Sequence, residues 1–188
     1  MSNSVCPWWM GYMLINPIRH VFQNPDTILS RYVSQNMKVL DIGSAMGFFS
    51  LPMARLVGEH GKVVCVDLQE KMIEALVKRS EKAGLNSRME TCICGSDSLK
   101  IGDIKEEIDF ALAFAVVHEV ADKKRLFSEI LSALKPGGRL LIAEPKGHVE
   151  ESAFKATVSL AQEAGFGIIE HPTIRGSHST LLGKTPSL

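Results

Sequence analysis

The sequence is short of most features that would assign it to a specialised class. Its four cysteines, Cys6, Cys65, Cys92 and Cys94, are too few in 188 residues for a disulfide framework. Cys92-x-Cys94 lacks zinc-knuckle spacing, so no metal site is expected, and the two thiols read as buried small hydrophobes on one side of a strand. Neither sign of charge dominates, with 21 Lys and Arg against 21 Asp and Glu. The basic footprint of a nucleic-acid binder is therefore missing. The longest uninterrupted apolar run, residues 110–117, has eight members, far below the ~20 needed to cross a bilayer, so stable membrane insertion is not expected. No basic residues precede the apolar N-terminus as they would in a secretory leader. A reduced, cytoplasmic protein is the expectation. Gly and Pro number 15 and 8, which is ordinary usage and excludes collagen-like repeats.

What is present is a regular alternation. Short apolar runs at residues 37–42, 62–67, 89–94, 108–116 and 139–144 read as strands. Between them lie amphipathic stretches at 48–57 and 69–83 and one capped by Asp122 that runs to Pro136-Gly137-Gly138. A further helix over 151–164 precedes two last runs, 166–170 and 180–184. Strict alternation predicts one α/β domain, an open and mostly parallel sheet with helices on both faces. Pro52 is expected to bend the first of these helices.

Residues 1–36 precede the first strand and form a separate N-terminal extension, with the domain proper at 37–188. Asn24-Pro25-Asp26 marks a helix start. Upstream, residues 6–15 hold both tryptophans and one of the two tyrosines. This segment reads as cover for a sheet edge or a homodimer interface, or as a lid over an apolar substrate; an interfacial membrane contact ranks last, since no basic cluster supports it.

The informative stretch is Asp41-Ile42-Gly43-Ser44-Ala45-Met46-Gly47-Phe48, directly after the first strand. Ligands of open parallel sheets bind beyond the carboxyl ends of the strands. Small residues there let the backbone approach a ligand. A dinucleotide fingerprint needs glycines at 43, 45 and 48, and Phe48 disfavours close passage of a pyrophosphate. Asp41-x-Gly43-x-Ala45-x-Gly47 instead resembles the first motif of the class I methyltransferases that use S-adenosylmethionine, with Ala45 in place of the middle glycine. Alanine is tolerated there at ordinary backbone angles and weakens binding if φ is positive.

The resemblance extends over residues 37–145. Asp67 ends the second strand 24 positions after Gly43, where the family places a carboxylate on the ribose hydroxyls, and Leu68 would pack on the adenine. Asp97 and Ser98 follow the third strand, where the family places an adenine contact. Residues 109–120, including Ala115, resemble the fourth-strand motif, and residues 134–140 the turn before the fifth strand. Asp41 either organises the loop through backbone N–H groups or meets the cofactor's amino group. Gly43, Ser44, Ala45 and Gly47 complete the expected cofactor set. The implied sheet is Rossmann-like, with seven strands, the last antiparallel.

The resemblance implies methyl transfer by in-line displacement, releasing S-adenosylhomocysteine. Acid–base candidates lie past the fourth and fifth strands: His118 first, then Glu144 and His148, with Glu119 and Lys146 nearby. An Asn-Pro-Pro-Tyr-like tetrad, which marks enzymes acting on exocyclic amines, is missing. A small-molecule acceptor, apolar or aromatic, is the expectation. Two rivals remain: a non-catalytic adenosyl-cofactor module, alone or as a subunit of a complex, and an NAD-dependent oxidoreductase, for which a Tyr-x-x-x-Lys pair is lacking.

Overall fold

The computed structural model describes residues 23–185. The tryptophan-rich segment 6–15 and the lid or interface read from it lie outside the described residues. A short helix, α1 (Pro25–Leu29), leads into β1 (Lys38–Ile42), α2 (Ser50–Leu56), β2 (Lys62–Asp67), α3 (Glu70–Lys82) and β3 (Met89–Ile93). There follow β4 (Ile108–Phe114), α4 (Lys123–Ala133), β5 (Leu134–Pro145), α5 (Glu151–Glu163), β6 (Phe166–Glu170) and β7 (Ser177–Lys184). The seven strands form one sheet in the order 3-2-1-4-5-7-6. Strands 1 to 5 run parallel to one another, whereas β7 runs antiparallel to both β5 and β6. The strand order reverses between β1 and β4, which is where such a sheet opens a crevice.

The central strands are buried because helices cover both faces, and successive residues feed opposite cores. On one face Leu40, Val64, Ala111 and Leu140 pack with Phe127 and Ile130 of α4 and Phe154 of α5. On the other, Val39, Val63, Phe110 and Leu141 pack with Leu29, Met53 and Leu76 from α1, α2 and α3. Residues 23–36 thus share the core of the domain, through Leu29, Tyr32 and Val33. As expected, Asn24 caps α1 through its side chain, and Asp122 caps α4 by accepting from the Arg125 N–H at 3.0 Å.

Several boundaries depart from the expectation. β4 stops at Phe114, two residues early, because Ala115 takes φ of 57°. β5 starts at Leu134, which pairs with Ile108 before a register shift that contains Pro136-Gly137-Gly138. The turn is thus held inside the strand as an irregularity, with Gly137 at φ of 77°. β7 begins at Ser177 since its polar start is paired with Pro145 of β5. Pro52 sits in the first turn of α2, where its missing N–H has no helical partner to lose. Cys92 and Cys94 are half-buried, not buried, because β3 is an edge strand with no fully buried position.

Phe110 is fully buried at the sheet centre and its ring stacks on Tyr32 at 5.6 Å. Phe110→Ala is expected to lower the free energy of unfolding by about 3–5 kcal/mol, read by urea denaturation.

Candidate functional site

The loops beyond the carboxyl ends of β1, β2, β3 and β4 enclose a cavity of about 610 Å³, within the ~300–1,000 Å³ of small-molecule sites. The chain leaves β1 through Gly43 at φ of 70°, where an added Cβ would meet the Val116 side chain at 2.6 Å. Gly43 and Ser44 both donate their N–H to the Val66 carbonyl, at 2.9 and 3.0 Å. Ala45 follows at φ of 46°, in the strained left-handed region, which is the condition under which alanine is expected to weaken binding. Its N–H donates to Asp67 Oδ2 at 2.8 Å, so the loop's sharpest residue is held by the end of β2. Asp67 Oδ1 accepts from the Gln69 N–H at 2.9 Å. A carboxylate has about four acceptor positions, and these bonds use one on each oxygen. Burial raises the Asp67 pKa, against which the N–H groups of Gln69, Ala45 and Leu68 hold it down.

Asp41 is buried and lines the cavity, and its side chain engages Ser50 where the loop's backbone N–H groups were one expected partner. Its Oδ2 accepts from the Ser50 hydroxyl at 2.5 Å, which links β1 to the start of α2. Burial pushes its pKa up to about 7, opposed by Ser50 and reinforced by the charge of Asp67. Ser44 Oγ is buried and has no hydrogen-bond partner among the described residues, and Ser44 lines the cavity. Asp97 and Ser98 reach the cavity too, but differently. The Asp97 side chain is 76% exposed and lies 3.6 Å from the Arg125 guanidinium. The Ser98 hydroxyl donates to Glu129 Oε1 at 2.8 Å, while Glu129 Oε2 accepts from the Leu99 N–H at 2.6 Å. Glu129 therefore holds this loop from α4 and lines the cavity itself. Its role was not readable in sequence, where it resembles a surface partner of Arg125 one helical turn away. Met72 lines the cavity as well, although its spacing on α3 marks it as core.

Opposite β4 and β5 the titratable side chains meet. Glu144 is 1% exposed; its Oε1 accepts from the Val117 and His118 N–H groups at 2.7 and 3.3 Å. Its Oε2 lies 2.5 Å from His118 Nδ1. The Glu144 hydrogen bond raises the His118 pKa, partly offset by desolvation and aided by the Glu144 and Glu119 charges. His118, Glu119 and His148 line the cavity and Glu144 does not. Nδ1 is thus engaged behind the wall, and Nε2, 4.0 Å from Glu119 Oε1, is the nitrogen left for a ligand. Leu68 and Ala115 also line the cavity, together with Phe48, Phe49 and Phe114. The Phe49 ring lies 5.0 Å from Phe48 and 4.5 Å from Phe114. Gly47 lies outside this lining; at φ of 82° it turns the chain into α2, and a Cβ there would meet Leu51 at 2.9 Å. Gln23 is part of the lining as well. Among the described residues no group of three or more His, Cys, Asp or Glu could hold a metal ion, and no helix is long and apolar enough to cross a membrane.

Residues 33–180 match a family model described as a methyltransferase domain. The chain belongs to the class I S-adenosylmethionine-dependent methyltransferases. It is 31% identical to the ubiquinone/menaquinone biosynthesis C-methyltransferase UbiE of Cronobacter sakazakii, over 66% of this chain and 49% of that protein. It is 29% identical to protein-L-isoaspartate O-methyltransferase 2 of Arabidopsis thaliana, over 71% and 42%. The chain spans about half the length of the curated relatives it matches. Its fold is similar to that of a SAM dependent methyltransferase from Aquifex aeolicus, with a TM-score of 0.85 at 20% identity, over 96% of this chain and all of that one. The methyltransferase fold accounts for what the cavity leaves open. S-adenosylmethionine has donors and acceptors enough to engage the orphaned Ser44 hydroxyl and the remaining Asp67 lone pairs, so the residues present fit the cofactor.

Ala45→Gly is expected to raise stability by about 1 kcal/mol by removing left-handed strain, seen as a higher thermal unfolding midpoint with no weakening of S-adenosylhomocysteine binding. The Asp41 pKa is raised from its ordinary 3.8 to about 7 in the fold. Its contribution to stability is therefore fully present at the lower value and lost as pH rises through the higher one. The stability advantage of the wild type over Asp41→Asn should shrink across that interval and level off above it, in denaturation curves taken at several pH values.

Proposed function

We propose that the chain transfers a methyl group from S-adenosylmethionine to a small-molecule acceptor with an apolar or aromatic body. The observation that carries this reading is a single cavity joining the loop of Ser44 and Ala45 and the carboxylate of Asp67 to the imidazole of His118. When bound, the cofactor supplies an electrophilic methyl group on a sulfonium. Ser44, Asp67 and Leu68 hold its nucleoside end, and Asp97 contacts the adenine from the rim. The phenylalanines and Pro145 exclude water and align the acceptor, so that proximity provides much of the acceleration for an in-line displacement. His118 Nε2 takes the acceptor's proton. Glu144 is a positioning residue that fixes the ring through Nδ1 and favours its protonated form. Residues 37–188 are read as the cofactor-binding domain, with residues 23–36 packed into its core and Gln23 in the cavity lining.

Relatives named for carbon and for isoaspartyl-oxygen methylation match this chain almost equally, so similarity does not choose the acceptor atom. The aromatic lining and the C-methyltransferase relative favour an aromatic small molecule. The test is a panel of phenols, quinols, thiols and amines screened for S-adenosylhomocysteine release. Turnover of a phenol or quinol is expected; no turnover of any small acceptor would contradict the reading.

With an acceptor in hand, the pH profile tests the dyad. Neutral His118 is the active form, so activity should rise with pH through its raised pKa. Glu144→Gln removes the largest cause of that rise and should move the acid limb to lower pH while reducing kcat. An unmoved limb would remove His118 from the proton path.

A further inference from the structure

A second cavity, of about 420 Å³, lies where the glycine loop meets α2 and the last turn of α3. Its lining contains three cations, Arg55, Arg79 and Lys82, and no acidic residue. Arg79 is half-buried and donates to the Met46 carbonyl, which uses one of the five N–H donors of a guanidinium. Neither Arg55 nor Lys82 has a side-chain hydrogen bond or ion pair among the described residues. Burial, and to a lesser extent the repulsion of the neighbouring Arg55 charge, lower the Arg79 pKa. A cation at the end of α3 offsets the helix dipole. That accounts for Lys82, but not for two guanidiniums from different helices meeting over one cavity.

We propose that this second cavity is a binding site for a phosphate-bearing small molecule. Two planar forks and an ammonium suit a multiply charged, oxygen-rich anion better than a single carboxylate. The volume exceeds what a bare ion fills, and Phe48, Leu51 and Pro52 provide an apolar wall for an organic portion. The site is also wired to the first cavity. Phe48 lines both, and Met46, whose carbonyl Arg79 holds, adjoins Ala45. An anion that draws on Arg79 changes the support of the cofactor loop, and the effect is reciprocal: cofactor binding changes anion affinity by the same factor.

The test is calorimetric titration of the full chain with inorganic pyrophosphate and, separately, with glycerol 3-phosphate, at constant ionic strength in buffer free of phosphate and sulfate. Wild type is compared with Arg55→Gln/Lys82→Gln, whose exposed positions keep the fold, the lost helix-end charge of Lys82 lowering the thermal unfolding midpoint by no more than about 4 °C. Saturable binding of at least one probe is expected, weakened ~10-fold or more in the double variant. Tighter binding of the ester than of pyrophosphate identifies an organic phosphate as the ligand class, and the reverse identifies a free inorganic one. Equal affinity in wild type and variant, or no saturable binding of either probe at millimolar concentration, overturns the site. Repeating the titration with saturating S-adenosylhomocysteine reads the coupling: a shift of ~5-fold or more is expected, and an unshifted affinity overturns the link. Anion binding does not depend on catalysis, so its failure would leave the methyl-transfer reading standing.

Discussion

The Asp67 carboxylate ties together parts of the chain that must not drift apart if a ligand is to be held. One oxygen takes the N–H of Ala45 in the glycine loop and the other the N–H of Gln69 ahead of α3. The end of β2 thereby sets the height of the loop above β1. Without that bond a left-handed alanine has little reason to stay where it is, because an L-residue in that region gives up about 1–2 kcal/mol. The Val66 carbonyl, accepting from Gly43 and Ser44, and Arg79, engaging the Met46 carbonyl, complete the restraint. Four successive residues are thus fixed from three directions.

The same economy governs the buried charges. Asp41, Asp67 and Glu144 are all under one-tenth exposed, and each lies near the carboxyl end of its strand. An unpaired buried carboxylate is prohibitively unfavourable, and the three are treated differently. Asp41 has a single hydroxyl partner and its pKa is pushed to about 7. Asp67 is surrounded by backbone donors that oppose its desolvation. Glu144 meets two N–H groups and an imidazole. One therefore joins β1 to α2, one holds the glycine loop at the cavity, and one fixes the His118 ring. Their separation along the sheet edge gives the cavity its two chemically distinct ends.

Much of this was legible in the amino-acid order, for physical reasons. Doubly covered strands such as β2 and β4 are apolar through their centres, Val63–Val66 and Phe110–Phe114, so their runs were unmistakable. Asp67 stood out because the glycine loop resembles the methyltransferase motif, which gives meaning to a carboxylate ending the next strand. What stayed hidden depended on distant partners. Nothing local shows that β5 begins before Pro136-Gly137-Gly138, because the pairing of Leu134 with Ile108 decides it. Glu129 gains its role from a loop 30 residues earlier. Glu144 was picked out as a candidate, but only the fold shows that it stands behind His118 instead of in the cavity. The half-exposure of Cys92 and Cys94 follows from β3 being at the sheet edge, a fact of topology and not of sequence.

The central claim is that this cavity holds an adenosyl sulfonium through Asp67. Parallel calorimetric titrations with S-adenosylmethionine, S-adenosylhomocysteine and NAD, on wild type and on Asp67→Ala, test it most directly. The account predicts that the wild type binds the first two and not NAD, with affinity falling at least ~10-fold in the variant. Binding of NAD alone, or adenosyl affinity unchanged by loss of the carboxylate, would contradict it.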